Sequence, residues 1–150
     1  MATYRDNPYG AFNFLVSLDD GQEAETVGGF SDVSGLGREV NYSEYRNGNE
    51  KFNTVRKIAN TYKTDDITLK RGLVGSTSLF TWLKNVSNGN HEPREVTITL
   101  LDEARNPVST WKLRNAQPKK WTGPTLAAKG GGEVAMEELS LVAEECIYEE

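Results

Sequence analysis

Apolar residues fall at every second position through most of the hydrophobic segments of this chain, and that period commits it to β-structure. Phe12, Phe14, Val16 and Leu18 alternate with Asn13, Leu15 and Ser17, so one set of side chains lies on one face of a strand. Asp19-Asp20-Gly21 follows as a turn. Leu36, Val40 and Tyr42 share a parity in LGREVNYSEYR, as Ile67 and Leu69 do in DITLKR. Val96, Ile98 and Leu100 alternate with Thr97, Thr99 and Leu101, and beyond DEARNP the residues Trp111 and Leu113 share one face of PVSTWKLRNA. These two segments read as an antiparallel hairpin with a loop between the strands.

One segment has a different period. In GSTSLFTWLKNVSNGN the residues Leu79, Phe80, Leu83 and Val86 recur at helical spacing, Ser76 or Ser78 stands where a cap belongs, and Asn88-Gly89 stands where a helix stops. The expectation is a helix of about ten residues that closes one end or face of the sheet by burying Phe80 and Leu83. The tail EVAMEELSLVAEECIYEE leaves two readings open. Val134/Met136 and Leu139/Leu141 have opposite parity, which fits either a strand with a bulge or a helix.

Residues 45–64, YRNGNEKFNTVRKIANTYKT, separate two of these strands by an unusually long polar stretch. Phe52, Val55, Ile58 and Tyr62 recur at about helical spacing, which allows a turn of helix within an otherwise extended arm. A charged, weakly apolar insertion of this length has no core to order it, so its order has to come from contacts made elsewhere, most simply with another subunit. Its bases Arg46, Lys51, Arg56, Lys57 and Lys63 face a single acid, Glu50. The whole chain carries a net charge of −5, unevenly placed: the first 129 residues hold all 17 bases against 15 acids, while the last 21 carry seven Glu and no base. An acidic tail of this kind is either a solvated face or a surface that meets a basic partner.

The 150 residues are enough for one domain, residues 1–150, with a sizeable core. An apolar content of 37 % and a charged content of 26 % suit a soluble globular protein. No run approaches the ~18 apolar residues of a membrane span, so membrane insertion is not expected. The amino terminus lacks a secretory pattern, which suggests synthesis and folding in the cytoplasm. Cys146 stands alone and can form no internal disulfide.

Signals for catalysis are missing. His91 is the single histidine and sits beside Asn88-Gly89-Asn90. Ser31 in GGFSDV fails G-x-S-x-G because the last position is Val33. The glycines of GGFSDVSGLG and KGGGE match no phosphate-binding pattern. One Cys and one His exclude a thiolate–imidazole zinc site, and Asp19-Asp20 and Asp65-Asp66 read as turn residues. The chain is therefore expected to be no enzyme and to need no cofactor or metal.

The segments NPYGAFNFLVSLD, GGFSDVSGL, DITLKRGL, SLFTWL, VTITLLDEARNPVSTWKLRNAQPKKWTGP and KGGGEVAMEELSLVAEE follow one another as in the phage tail tube protein family, which the chain resembles over almost its whole length. The resemblance extends to the tube protein of type VI secretion. It implies a mainly β fold, a small antiparallel β-barrel or sandwich with one flanking α-helix and a long inter-strand arm, and it makes the ambiguous tail a strand. It implies a structural subunit of the inner tube of a contractile injection system or phage tail. Six copies would form a ring, and stacked rings would make a hollow conduit that sheath contraction drives through a target envelope. The partners implied are further copies, a contractile sheath protein, baseplate or spike and tube-terminator proteins, and whatever cargo the lumen carries.

With the arm reaching an adjacent ring, Arg46, Lys51, Phe52, Arg56, Lys57 and Tyr62 are expected to contact a neighbouring subunit, opposite Glu144, Glu145, Glu149 and Glu150. Two alternatives stand beside this reading. One is a tube-initiator paralogue joining the tube to the baseplate or spike. The other is a nucleic-acid-binding β-barrel module that would stack bases on Phe52 and Tyr62.

Overall fold

A computed structural model describes residues 5–19, 30–73, 75, 77–130 and 133–149. The alternating segments form nine strands: β1 (Phe14–Asp19), β2 (Phe30–Ser34), β3 (Arg38–Tyr45), β4 (Arg56–Thr64), β5 (Ile67–Gly72), β6 (Arg94–Leu101), β7 (Pro107–Thr122), β8 (Met136–Val142) and β9 (Glu145–Glu149). A helix, α1 (Ser78–Ser87), lies between β5 and β6. Seven strands form the antiparallel body in the order β1-β6-β7-β8-β5-β2, with β9 also paired to β7. The outer strands β1 and β2 do not pair with each other, so the body is an open, sandwich-like arrangement and not a closed barrel.

β7 is the long strand that joins the layers. Its first half pairs with β6 on one side and β9 on the other, and its second half pairs with β8. β8 and β9 share one register against it, Gln117 opposite Val142 and Arg114 opposite Glu145. They are one line of chain broken at residues 143–144, where Asn115 on the facing strand has a φ of 50°. The tail is thus strand, as the resemblance implies. Its parity conflict has a simple source: Glu137, Leu139 and Leu141 point inward together, and Val134 lies before the strand, exposed.

The inward set also includes Val16, Leu18, Ile67, Leu69, Val96, Ile98 and Leu113, all buried. α1 closes the body against β7, but with a different stripe from the one expected. Leu79 and Trp82 are buried, whereas Phe80 is exposed and packs edge-to-face on Trp121 at 5.2 Å, and Leu83 is only half-buried. A tryptophan inside the helix outweighs Phe80 for the core position, because its indole N–H finds the Glu92 carbonyl at 2.9 Å. Thr77 precedes the helix without a side-chain cap bond, and the expected cap Ser76 lies outside the described residues. The stop is where Asn88-Gly89 predicted it, with Asn88 N–H donating to the Lys84 carbonyl at 3.0 Å.

Candidate functional site

The long connection is half loop and half strand: residues 46–55 form the loop, and Arg56–Thr64 form β4, with no helix. β3 and β4 pair with each other alone, forming a two-stranded ribbon outside the seven-stranded body. The spacing of Phe52, Val55, Ile58 and Tyr62 misled because Ile58 and Tyr62 lie in β4, where a register shift between Val40 and Tyr42 displaces the pairing by one residue. Every residue of β3 is exposed, and so is every residue of β4 except Thr64.

Two glycines set the angle at which the ribbon leaves the body. Gly35 has a φ of +89°, and a side chain there would meet the Asp66 carbonyl oxygen at 2.1 Å. Gly37 sits where the two strands of the ribbon meet the body: Asp65 N–H donates across the pair to the Gly37 carbonyl at 3.2 Å, and a side chain at Gly37 would meet the Asp65 carboxylate. The returning strand is tied to the body twice: Lys119 Nζ reaches Asp66 Oδ2 at 2.7 Å, and Thr64 Oγ1 donates to the Glu144 carbonyl at 3.4 Å. Cys146 lies beside this root. Burial pushes its thiol up, with Arg38 opposing and Asp65 adding to the effect.

The two faces of the ribbon differ. Val40 is opposite Tyr62, and Tyr42 is opposite Ala59; Arg38 stacks over the Tyr62 ring at 4.2 Å, and Lys57 pairs with Glu44. This face presents aromatic and aliphatic surface, with Tyr42 62 % and Tyr62 54 % exposed. Polar ties dominate the other face, where Asn41 Nδ2 donates to Thr61 Oγ1 at 3.3 Å and Asn60 Nδ2 to Ser43 Oγ at 2.9 Å. A two-stranded ribbon in water is marginal at best unless its apolar face packs on something.

At the far end the chain is held in one shape. Arg46 donates through Nε to the Phe52 carbonyl at 2.9 Å and through Nη2 to the Glu50 carbonyl at 3.0 Å and Asn53 Oδ1 at 3.3 Å. Arg56 pairs with Glu50 at 3.0 Å. The tip so ordered leaves Phe52 76 % exposed, and Lys51 has no ion-pair partner among the described residues.

The expected contact residues therefore separate into two groups. Arg46, Lys51, Phe52, Arg56 and Lys57 lie at the far end of the ribbon, whereas Tyr62 lies near its root, opposite Val40 and under Arg38. Glu144, Glu145 and Glu149 come together along the β8–β9 line, each with a partner on β7: Asn115 at 2.8 Å, Arg114 at 3.1 Å and Lys112 at 3.2 Å. Glu150 lies outside the described residues. The root residues Gly35, Gly37, Arg38 and Asp66 were missed, although the spacing of the two glycines in SGLGRE was the available signal.

Beside this geometry stands a match over residues 10–147 to the family model described as T4-like virus tail tube protein gp19. The chain belongs to that family. Tail tube proteins are structural components of phage tails and tail-like particles, and solved structures similar to this family member agree. A chain of the sheath–tube complex of an extracellular contractile injection system, PVC, in its extended state is 29 % identical, with a TM-score of 0.83 over 96 % of this chain and 93 % of that one. A chain of the sheath and tube terminator of a PVC injection system is 28 % identical, with a TM-score of 0.84 over 97 % and 99 %. A chain of the anti-feeding prophage baseplate, 24 % identical over 97 % of each chain, shares the fold at a TM-score of 0.82. No curated protein matches the chain significantly.

The residues considered for chemistry stay apart. His91 is exposed beyond α1, and Ser31 on β2 donates to the Lys70 carbonyl at 3.4 Å. For a nucleic-acid surface, three cations of the ribbon are already engaged, Arg46 by carbonyls, Arg56 by Glu50 and Lys57 by Glu44, while Lys51 and Lys63 have no ion-pair partner among the described residues.

Proposed function

We propose that this tail tube protein builds the inner tube of a contractile particle as a single-domain subunit of stacked six-membered rings, inside a sheath, and that its work is mechanical with no catalytic step. The observation that carries the reading is the β3–β4 ribbon, held at its root and tip yet with Val40, Tyr42 and Tyr62 exposed on one face. Order without a core belongs to an element whose partner is another subunit. A patch on one copy that fits a different patch on the next makes rings when the rotation closes and filaments when it does not, and a stacked tube uses both. The unpaired outer edges of β1, β2 and β9 are further joints of that kind.

In this assembly Lys51, Phe52 and Tyr62 are the contacts that the ribbon offers outward. Glu144, Glu145 and Glu149 can be met by a neighbour's Arg46, Arg56 or Lys57 only by exchanging partners. That exchange costs little, because exposed pairs contribute about 0–1 kcal/mol each.

Negative-stain electron microscopy of the purified protein over a range of concentrations tests the reading. Six-fold annuli with a central pore, or short stacked tubes, are expected. Dispersed small particles at every concentration would overturn it.

A further inference from the structure

Between the two outer strands of the body, β1 and β2, which do not pair with each other, lies an open cleft of about 530 Å³. Its lining is largely apolar, from Phe14, Val33, Leu36, Ile98, Leu100 and Trp111, and Asp32 and Lys70 stand among these residues. An apolar cavity of about 150 Å³ is enough for benzene, so this one has room for a phenyl ring and a neighbouring aliphatic group.

We propose that the cleft is the receptor for the ribbon tip of a second copy of this chain, with Phe52 as the inserted anchor and Lys51 meeting Asp32. The proposal rests on the tube reading above and names the socket that reading leaves open. The occupant follows from where the ribbon starts. Leu36 lines the cleft, and the ribbon leaves the body from that point between Gly35 and Gly37. β3 then runs eight residues outward, about 26 Å at the usual rise of a strand. A paired ribbon of that length, fixed at its root, cannot fold back to place its own tip in its own cleft. A second copy can, and each copy then gives a tip and receives one, a head-to-tail contact that propagates.

The chemistry of the two parts agrees. Phe52 is fully formed for insertion, because Arg46 already holds its carbonyl and those around it, so little conformational freedom is lost on docking. An exposed aromatic anchor entering a pocket is the usual centre of binding energy. Asp32 lies opposite Lys70 in the β2–β5 register but forms no ion pair among the described residues. It is free to take the unpartnered Lys51.

The test is a cysteine pair on a Cys146→Ser background, Lys51→Cys with Asp32→Cys, mildly oxidised after assembly and run on a denaturing, non-reducing gel. A ladder of dimers and higher multimers, absent from each single-cysteine protein, is expected. Tubes in the microscope without a ladder would overturn the socket while leaving the tube reading intact; no tubes from the native chain at any concentration would overturn both. A second variant avoids new cysteines. Phe52→Ala should require about thirtyfold more protein to assemble, whereas Leu126→Ala, whose side chain is 84 % exposed, should assemble as the native chain does. Equal behaviour of the two would also sink the proposal.

Discussion

Arg71 on β5 and Glu137 on β8 are direct cross-strand partners that form an ion pair inside the body, each at most 4 % exposed. Glu137 also accepts the indole N–H of Trp121 at 3.1 Å, and Arg71 reaches Ser78 Oγ at the start of α1 at 3.5 Å. The pair therefore ties two strands, the helix and the second half of β7 together. Removing one partner leaves a buried charge without compensation, a loss of about 3–5 kcal/mol. Arg71→Leu and Glu137→Gln should accordingly each lower the urea midpoint strongly. The double change Arg71→Leu with Glu137→Gln keeps an acceptor for Trp121 and should cost much less than the sum of the single changes. Additive losses would show that the two side chains do not act as a pair.

Arg46 tests whether the tip is ordered by its own chain. Arg46→Ala removes the donor that gathers the Phe52 and Glu50 carbonyls, far from the core. Amide hydrogen exchange across residues 47–55 should speed up while the global unfolding midpoint stays within about 0.5 kcal/mol of the native value. Unchanged exchange at the tip would assign its order to the β3–β4 pairing alone.

The strands of the body were legible because their inward positions are apolar and repeat at period two, and where the reading failed, charge or packing had replaced that signal. Arg71 and Glu137 occupy inward positions of DITLKRG and MEELSLV, so each strand looked shorter or out of phase until its partner was known. The tail was ambiguous for that reason. In α1, Trp82 took the core position expected of Phe80. Of the ribbon, β3 was read from the shared parity of Val40 and Tyr42, whereas β4 was missed for a different reason: none of its apolar residues is buried within the chain, and a single strand parity is broken there by the register shift. The role proposed for it could be read only from the length and charge of the connection.

Arg5 and Glu103 fasten the amino-terminal segment to the turn between β6 and β7 through two bonds of 2.9 Å. Hydrogen bonding from Arg5, then from backbone, holds the Glu103 carboxyl down from 4.5 to about 2. A carboxyl depressed in the folded state contributes fully above its unfolded value. That contribution is lost as pH falls from about 4.5 through about 2. The segment should thus stay fastened at pH 5 and be released only at strongly acid pH. Carboxyl NMR should show Glu103 titrating near 2 in the native chain and in the ordinary carboxylate range in Arg5→Ala. Titration of the native Glu103 with the other carboxylates would refute the clamp.

Gly35 and Gly48 bracket the outgoing half of the ribbon and should respond oppositely to one added methyl group. At Gly35 the backbone is left-handed, φ +89°, and a Cβ would sit 2.1 Å from the Asp66 carbonyl oxygen. Backbone strain of this type costs about 1–3 kcal/mol before any clash is counted. Relief requires moving Asp66 and with it the Lys119 contact that fixes the returning strand. Gly48, near the tip, has nothing within 4 Å of an added Cβ. Gly35→Ala should therefore lower the melting temperature and abolish assembly, because a ribbon that leaves the body at another angle misses its neighbour. Gly48→Ala should change neither. Assembly of Gly35→Ala at the native concentration would mean that the angle set at the root is not what positions the ribbon between subunits.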